Sequence, residues 1–141
     1  MTDREAAAKE WLLRNEPVRE EIRSLELRLE EMRAAVNKSV GAIQDVKVQT
    51  QPQNKQAEKI AEIVDFAEKV QKKREYYQFL EEKTISTIEK IRDPNKRTVL
   101  FLRYVYRRSW RHIAAKMHLT ESYVYEFHRK ALSTLYGVIE W

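Results

Sequence analysis

The sequence predicts an all-α protein in which long coiled-coil-like helices precede a C-terminal domain of three helices. Only 2 Gly and 3 Pro occur among the 141 residues, so the chain lacks the turn formers that a β-sandwich or barrel needs. Charged residues make up 35% of the chain and hydrophobic residues 43%, which is typical of a soluble helical protein. The aromatic content of 10% argues against a disordered chain.

Residues 1–36 are predicted to be an N-terminal helical, coiled-coil segment. Asn15 and Pro17 indicate a helix start, with Asn as the N-cap and Pro in the first turn. The following apolar residues are spaced alternately four and three apart, a heptad seam that another helix must cover. Residues 5–13, around Trp11, could form a helical turn or two, or could equally be a sequence added for expression. The seam consists of Val18, Ile22, Leu25, Leu29, Met32 and Val36.

Residues 37–54 contain Gly41, Pro52 and several β-branched residues, and they predict a linker or long loop. Residues 55–92 contain no Gly or Pro and predict one long oligomerisation helix, with Ile63, Val70 and Tyr77 on its apolar stripe. Its partner could be residues 18–36 of the same chain or the same segments of a second chain. Because the seams are long for a chain of this size, we expect a homo-oligomer, most simply a dimer.

The basic charge of the chain lies in its last third. Residues 94–141 hold nine Lys and Arg against three acidic residues, a net charge of +6, whereas the whole chain carries +5. The same stretch holds 9 of the 14 aromatic residues. An excess of basic residues in one region is expected for a protein that binds polyanions, and nucleic acid is the first candidate. A charge that serves only solubility is the alternative explanation.

Residues 93–141 predict a helix-turn-helix domain. Asp93 and Pro94 start a first helix that ends near Arg107. Ser109 is the expected N-cap of a short helix over 110–117, and Thr120 is the expected N-cap of a second helix over 120–136.

The turn between these two helices has its own pattern. Ala114 must be small where the second helix crosses the first, and Leu119 is expected to be buried between them. His118 stands where such turns commonly have Gly, and a His tolerates the left-handed conformation less readily than Gly does.

With these features, residues 99–135 resemble the region-4 helix-turn-helix of the sigma-70 family. The strings that carry the resemblance are LFLRY (100–104), SWRHIAAKM (109–117) and LTESYVYEFHRKALSTL (119–135). They resemble more closely the small phage-encoded transcriptional regulators of Gram-positive bacteria of the RinA/ArpU type. The resemblance implies double-stranded DNA as a partner, with 120–136 as the recognition helix.

The resemblance also implies two sets of contact residues. The residues expected to read base edges are Glu121, Ser122, Tyr125, Glu126 and Arg129. A helix N-terminus flanked by arginines is a physical phosphate site, and the expected phosphate contacts are Arg107, Arg108, Ser109, Trp110, Arg111 and Lys130. A solvated basic face is the alternative for the arginines, and packing is the alternative for Tyr125. Arginines that the family carries on the recognition helix are absent here, so no sigma-type promoter preference is carried over.

We expect no enzyme activity, no cofactor and no metal. The sequence has no Cys and no Gly-rich phosphate loop, and the three His residues do not have the spacing of a zinc site. His128 is expected to form a hydrogen bond inside the domain. No apolar run is long enough to span a membrane and no signal peptide is evident, so we expect a cytoplasmic protein.

These features predict a sequence-specific DNA-binding transcriptional regulator of phage or mobile-element genes, as an activator or as a repressor. One alternative is a phage small terminase subunit or other DNA-packaging adaptor, although those usually place the helix-turn-helix first in the chain. Another is an interaction module that contacts RNA polymerase or a host factor.

Overall fold

The computed structural model describes the backbone of residues 1–45 and 51–141, and the side chains of residues 1–38 and 54–141. Every regular element of these residues is helical, which confirms the all-α prediction. The elements are α1 (Asp3–Leu13), α2 (Glu16–Asp45), α3 (Gln51–Glu89), α4 (Pro94–Leu100), a π-helical turn (Phe101–Val105), α5 (Trp110–Met117) and α6 (Glu121–Tyr136).

The chain forms two compact units. The core unit comprises Met1–Glu16 and Gln78–Trp141, and the hairpin unit comprises Pro17–Tyr77. The core unit therefore differs from the predicted domain of residues 93–141, because α1 and the last turns of α3 also belong to it.

The hairpin unit pairs α2 and α3 within one chain. Near the start of α2, Glu26 accepts a hydrogen bond from Arg74 Nε at 2.9 Å, so this end of α2 meets a late part of α3. Further along α2, Val36 shares a groove with Ile63 from an early part of α3. The two helices are therefore antiparallel and pair within the chain, which is one of the two arrangements that the heptad pattern allows. Ile22, Leu29, Val36 and Val70 are the buried seam residues, while Val18, Leu25, Met32, Ile63 and Tyr77 are half-buried.

The predicted linker over residues 37–54 is wrong where the structure describes it. Helix α2 continues to Asp45 and α3 begins at Gln51, while residues 46–50 lie outside the described residues. A single Gly such as Gly41 costs a helix only about 1 kcal/mol, which is too little to end it. Pro52 lies in the first turn of α3, where its missing N–H has no helical partner to lose.

Helix α1 is an integral part of the core unit. Ala8 and Leu12 are 0% and 3% exposed and belong to the same apolar core as the residues of α4, α5 and α6. Thr2 and Glu5 form a reciprocal capping box at its start. At its end, Arg14 donates to the Thr84 hydroxyl and to the Leu80 carbonyl of α3, at 3.0 and 3.2 Å. The capping box thus stabilises the start of α1, and the bonds of Arg14 join its end to α3.

The predicted helix start is confirmed, because α2 begins at Glu16 with Pro17 in its first turn, but within the described part of the chain the predicted capping bond to the Asn15 side chain is absent. Only Arg14 and Asn15 separate α1 from α2, and the Asn15 side chain is buried in this tight turn. Among the described residues its Oδ1 accepts no hydrogen bond, so it does not cap the backbone of α2.

The predicted start of α4 is confirmed, because Asp93 Oδ1 accepts a hydrogen bond from Asn95 N at 2.9 Å. The helix predicted to continue to Arg107 is α-helical only as far as Leu100. At Phe101 the backbone widens into the π-helical turn, whose end is marked by a 2.9 Å bond from Tyr106 N to the Phe101 carbonyl. Arg107 follows with a left-handed φ of 56°.

The predicted caps of the helix-turn-helix are confirmed. Ser109 Oγ accepts from His112 N at 3.1 Å, and Thr120 Oγ1 accepts from Tyr123 N at 3.2 Å. His118 adopts the left-handed conformation, with φ 57° and ψ 42°.

The expected burial of Leu119 is wrong, since 37% of this residue is exposed. Ile113 and Val124, both fully buried, contribute to the core around the turn, together with the small residue Ala114.

His128 lies inside the core, as predicted. Its Nε2 is 2.6 Å from the Tyr104 hydroxyl oxygen, and its ring is fully buried. Burial, reinforced by the positive charges of Lys9 and Arg103, lowers the pKa of His128 to about 4. Burial also raises the pKa of Tyr104. Both groups are therefore neutral at neutral pH.

Acidification is expected to destabilise the fold through His128. The unfolded imidazole, with a pKa of 6.5, takes up a proton before the folded one, whose pKa is about 4. The free energy of unfolding therefore falls as the pH falls from 6.5 to 4, by at most about 3 kcal/mol. Urea unfolding of the wild type and of His128→Gln measures this contribution, and equal pH slopes for the two proteins over this window would contradict it.

Cross-linking tests the pairing of α2 and α3. The chain has no cysteine, so Glu26→Cys with Arg74→Cys introduces the only two thiols. We expect a short bifunctional maleimide to join them within one chain and to give a product of monomer mass on a denaturing gel. A product of twice that mass would instead indicate that the helices pair between chains, and each single-cysteine variant is the control.

Candidate nucleic-acid interface

Helix α6 has a buried face, an exposed face and a flank that contacts α1. The exposed face carries Glu121, Ser122, Glu126 and Lys130, four of the residues that the sequence predicts to contact DNA. On the flank, the Arg4 guanidinium of α1 lies 5.4 Å from the centre of the Tyr136 ring. The buried face consists of Val124, His128, Ala131, Leu132 and Leu135.

Arg129, predicted to read bases, is held in an ion pair with α1. Its Nε donates to Glu5 Oε2 at 3.1 Å, and its Nη1 lies 3.5 Å from Glu126 Oε1. Desolvation alone would raise the pKa of Glu5, but bonds from the Thr2 backbone and from Arg129 outweigh it, so the pKa is lowered. The bond to Glu5 in turn raises the pKa of Arg129. The carboxylates of Glu5 and Glu126 therefore balance much of the positive charge of Arg129 within the protein.

Tyr125 and Trp110 pack against each other at the junction of α5 and α6. Their ring centres are 5.4 Å apart in an edge-to-face arrangement, and the Trp110 ring is 4.6 Å from that of His128. Tyr125 nevertheless remains 40% exposed. Of the two roles that the sequence allows for Tyr125, the structure displays the packing role directly.

The predicted phosphate residues fall into two groups. Arg108 and Arg111 are exposed beside the start of α5, and Lys130 is exposed on α6. Ser109 is occupied as the N-cap, and Trp110 is half-buried in the aromatic cluster.

Arg107, like Ser109 and Trp110, is engaged in contacts inside the protein. Its Nε donates to Glu16 Oε1 at 2.9 Å, and its Nη1 donates to the Val105 carbonyl at 3.2 Å.

A cleft of about 510 Å³ opens beside this region, within the core unit. It brings Arg107, Trp110 and Tyr125 together with residues that the sequence does not single out. Arg103 donates to the Arg108 carbonyl at 3.0 Å and lies 4.4 Å from the Trp110 ring centre. Lys9, Leu13 and Glu16, from the N-terminal part of the chain, also line the cleft.

Sequence reasoning misses Glu5, Lys9 and Arg103 for physical reasons. Glu5 and Lys9 meet α6 and the cleft only through the tertiary fold, so no local spacing marks them. Arg103 is in the LFLRY string, and its position depends on the π-helical turn, which no periodicity indicates.

In the part of the chain that the structure describes, no three His, Asp or Glu residues are grouped in a way that could hold a metal ion. Over the same residues, no helix combines the length and the apolar composition needed to cross a bilayer.

Comparison with known proteins gives one match. No curated protein and no solved structure matches the chain. A family model described as a protein of unknown function (DUF1492) matches residues 37–136, a span that includes α3 to α6 and excludes α1. Because this match covers more than two thirds of the chain, the protein belongs to the DUF1492 family.

Proposed function

We propose that the chain is a sequence-specific DNA-binding transcriptional regulator of phage or mobile-element genes, acting in the cytoplasm, with α6 as its recognition helix. The observation that carries the proposal is the outward face of α6, which remains exposed beside Arg108 and Arg111 at the start of α5. A capped helix with a free polar face next to exposed arginines is the arrangement with which such proteins enter a major groove and contact phosphates. The resemblance to sigma region 4 and to the phage regulators supports the same function.

Charge supports nucleic acid as the partner. The net charge of +6 on residues 94–141 contrasts with the near balance of the preceding helices. Because phosphate contacts release counterions, the affinity for DNA is expected to fall steeply with salt.

The reading set is narrower than the sequence implies. Glu121, Ser122 and Glu126 are exposed, whereas Arg129 is half-buried and donates to Glu5, with Glu126 Oε1 3.5 Å from its Nη1. A glutamate accepts a hydrogen bond from the cytosine amino group, so the exposed acidic pair favours C·G base pairs at the positions it reaches.

We propose that two copies associate, so that two recognition helices reach two half-sites. The predicted oligomerisation residues that are buried in the hairpin, such as Leu29 and Val70, are used within one chain. Association then needs the half-buried members of the seam or another surface.

A second groove, beside the turn of the helix-turn-helix, favours a second candidate function. It measures about 390 Å³, and its lining combines three polar residues with four large apolar or aromatic ones: Asn95, Thr98, Lys116, Met117, Leu119, Tyr123 and Phe127. Large apolar side chains that stay exposed, as Leu119 and Tyr123 do, are typical of a protein-interaction site. The second candidate is therefore an interaction module that contacts RNA polymerase or a host factor.

Two substitutions separate phosphate contacts from base reading. A duplex selected from genomic fragments and a random duplex are titrated with each variant. Arg111→Ala is expected to weaken binding to both duplexes alike and to reduce the salt slope by about 1. Glu126→Ala is expected to change the preference between them, by about 1–3 kcal/mol for each base pair read.

Arg23→Ala, an exposed arginine of the hairpin unit, is the matched control for lost charge. Equal losses on the two duplexes for Glu126→Ala would exclude α6 as the reading helix. No binding to either duplex at low salt would exclude the proposed function.

Mass in solution separates the regulator from the DNA-packaging alternative. Light scattering is expected to give twice the chain mass of 16.9 kDa. A ring of many subunits would favour a small terminase subunit instead.

A further inference from the structure

The cleft beside the start of α5 has the charge of an anion site. Lys9, Arg103 and Arg107 contribute three positive charges against the single carboxylate of Glu16, so the formal charge of these four residues is +2. Glu16 accepts a 2.9 Å hydrogen bond from Arg107, and the two form an ion pair. Lys9 and Arg103 therefore account for the remaining positive charge.

Aromatic rings form the floor between these cations. Trp110 and Tyr125 line the cleft, and Tyr104 lies beside them. Arg103 is stacked at 4.4 Å from the centre of the Trp110 ring, a geometry that holds its guanidinium in place without neutralising its charge. The Trp110 and Tyr125 rings meet edge-to-face, so they offer an angled aromatic surface next to fixed positive charge.

The positive charges of Lys9 and Arg103 also act on His128, which packs against the aromatic rings of the cleft. His128 contacts all three rings, with ring centres 4.6–5.7 Å away. After burial, the charges of Lys9 and Arg103 are the next causes of its lowered pKa. Lys9 and Arg103 both line the same cleft, so their charges act on the same small volume.

The backbone around the cleft departs from regular helix. The π-helical turn carries Arg103 and Tyr104, and Arg107 follows in the left-handed conformation with a φ of 56°. Features of both kinds are concentrated at functional sites, because they cost stability and persist only when the surroundings hold them.

We propose that this cleft binds a phosphate group of a nucleotide unit, held by Lys9 and Arg103, with the attached sugar or base against Trp110 and Tyr125. The inference rests on the proposed function and extends it, because Lys9 would add a phosphate contact from α1 to those proposed for Arg108 and Arg111. The cleft volume of about 510 Å³ is within the range of small-ligand sites. The phosphate could come from a duplex backbone or from a free nucleotide.

The test compares Lys9→Gln with Arg4→Gln. Both residues belong to α1 and both changes remove one positive charge, but Arg4 lies against Tyr136, whose ring is not part of the cleft wall. Each variant is titrated with a short random-sequence duplex at several salt concentrations, because a phosphate contact does not depend on sequence. Lys9→Gln is expected to lower the salt slope by about 1 and to weaken binding roughly three- to tenfold at low salt. Arg4→Gln is expected to leave the slope unchanged.

A second titration uses adenosine monophosphate as the free nucleotide. Weaker nucleotide binding by Lys9→Gln, with duplex binding unchanged, would support the cleft and identify the free nucleotide as the phosphate source. Unchanged binding of both probes by Lys9→Gln would overturn the cleft proposal.

Arg111→Gln keeps the two proposals distinguishable. Loss of duplex binding in this variant, with Lys9→Gln identical to wild type, would leave the proposed function standing and reject the cleft. If the wild type binds the nucleotide through Lys9 but ignores the duplex, the proposed function fails and the cleft stands. Thermal unfolding of each variant identifies any loss that comes from misfolding.

Discussion

The packing of α1 against α6 is the interaction on which the rest of the core unit depends. Ala8 and Leu12 belong to the core that α4, α5 and α6 share. Glu5 adds a polar contact between α1 and α6, because it accepts a hydrogen bond from Arg129. Without α1, the flank of α6 would expose apolar surface, and the carboxylate partner of Arg129 would be absent. The helix-turn-helix is therefore part of a larger unit that also includes Met1–Glu16.

This packing also determines which parts of α6 remain available. The flank that contacts α1 is occupied through Arg129 and Tyr136, while Glu121, Ser122 and Glu126 stay exposed. Helix α1 also brings Lys9, and the start of α2 brings Glu16, to the cleft beside Trp110. One tertiary contact thus narrows the exposed surface of α6 and creates the cleft beside it.

The helix caps could be predicted from the sequence, whereas contacts between distant segments could not. The caps at Asp93, Ser109 and Thr120 follow from side-chain geometry, so residue type and position are enough to predict them. The start of α2 after Asn15 was also predictable, but the Asn15 side chain is buried and accepts no capping bond from the described residues. The loop over 37–54 failed because a helix tolerates one Gly and an early Pro. For the candidate site, the exposed residues of α6 followed from the pattern. Lys9 and Glu5 come from a distant segment that carries no local signal.

The arrangement of the core unit has a consequence for biosynthesis. Helix α1 is synthesised before α2 and α3, and its packing partner α6 is synthesised after them. Closing so long a connection costs entropy, although each doubling of its length adds only about 0.6 kcal/mol. During translation the apolar side of α1 must therefore stay uncovered until α6 has emerged, by which time both helices of the hairpin unit have already been made.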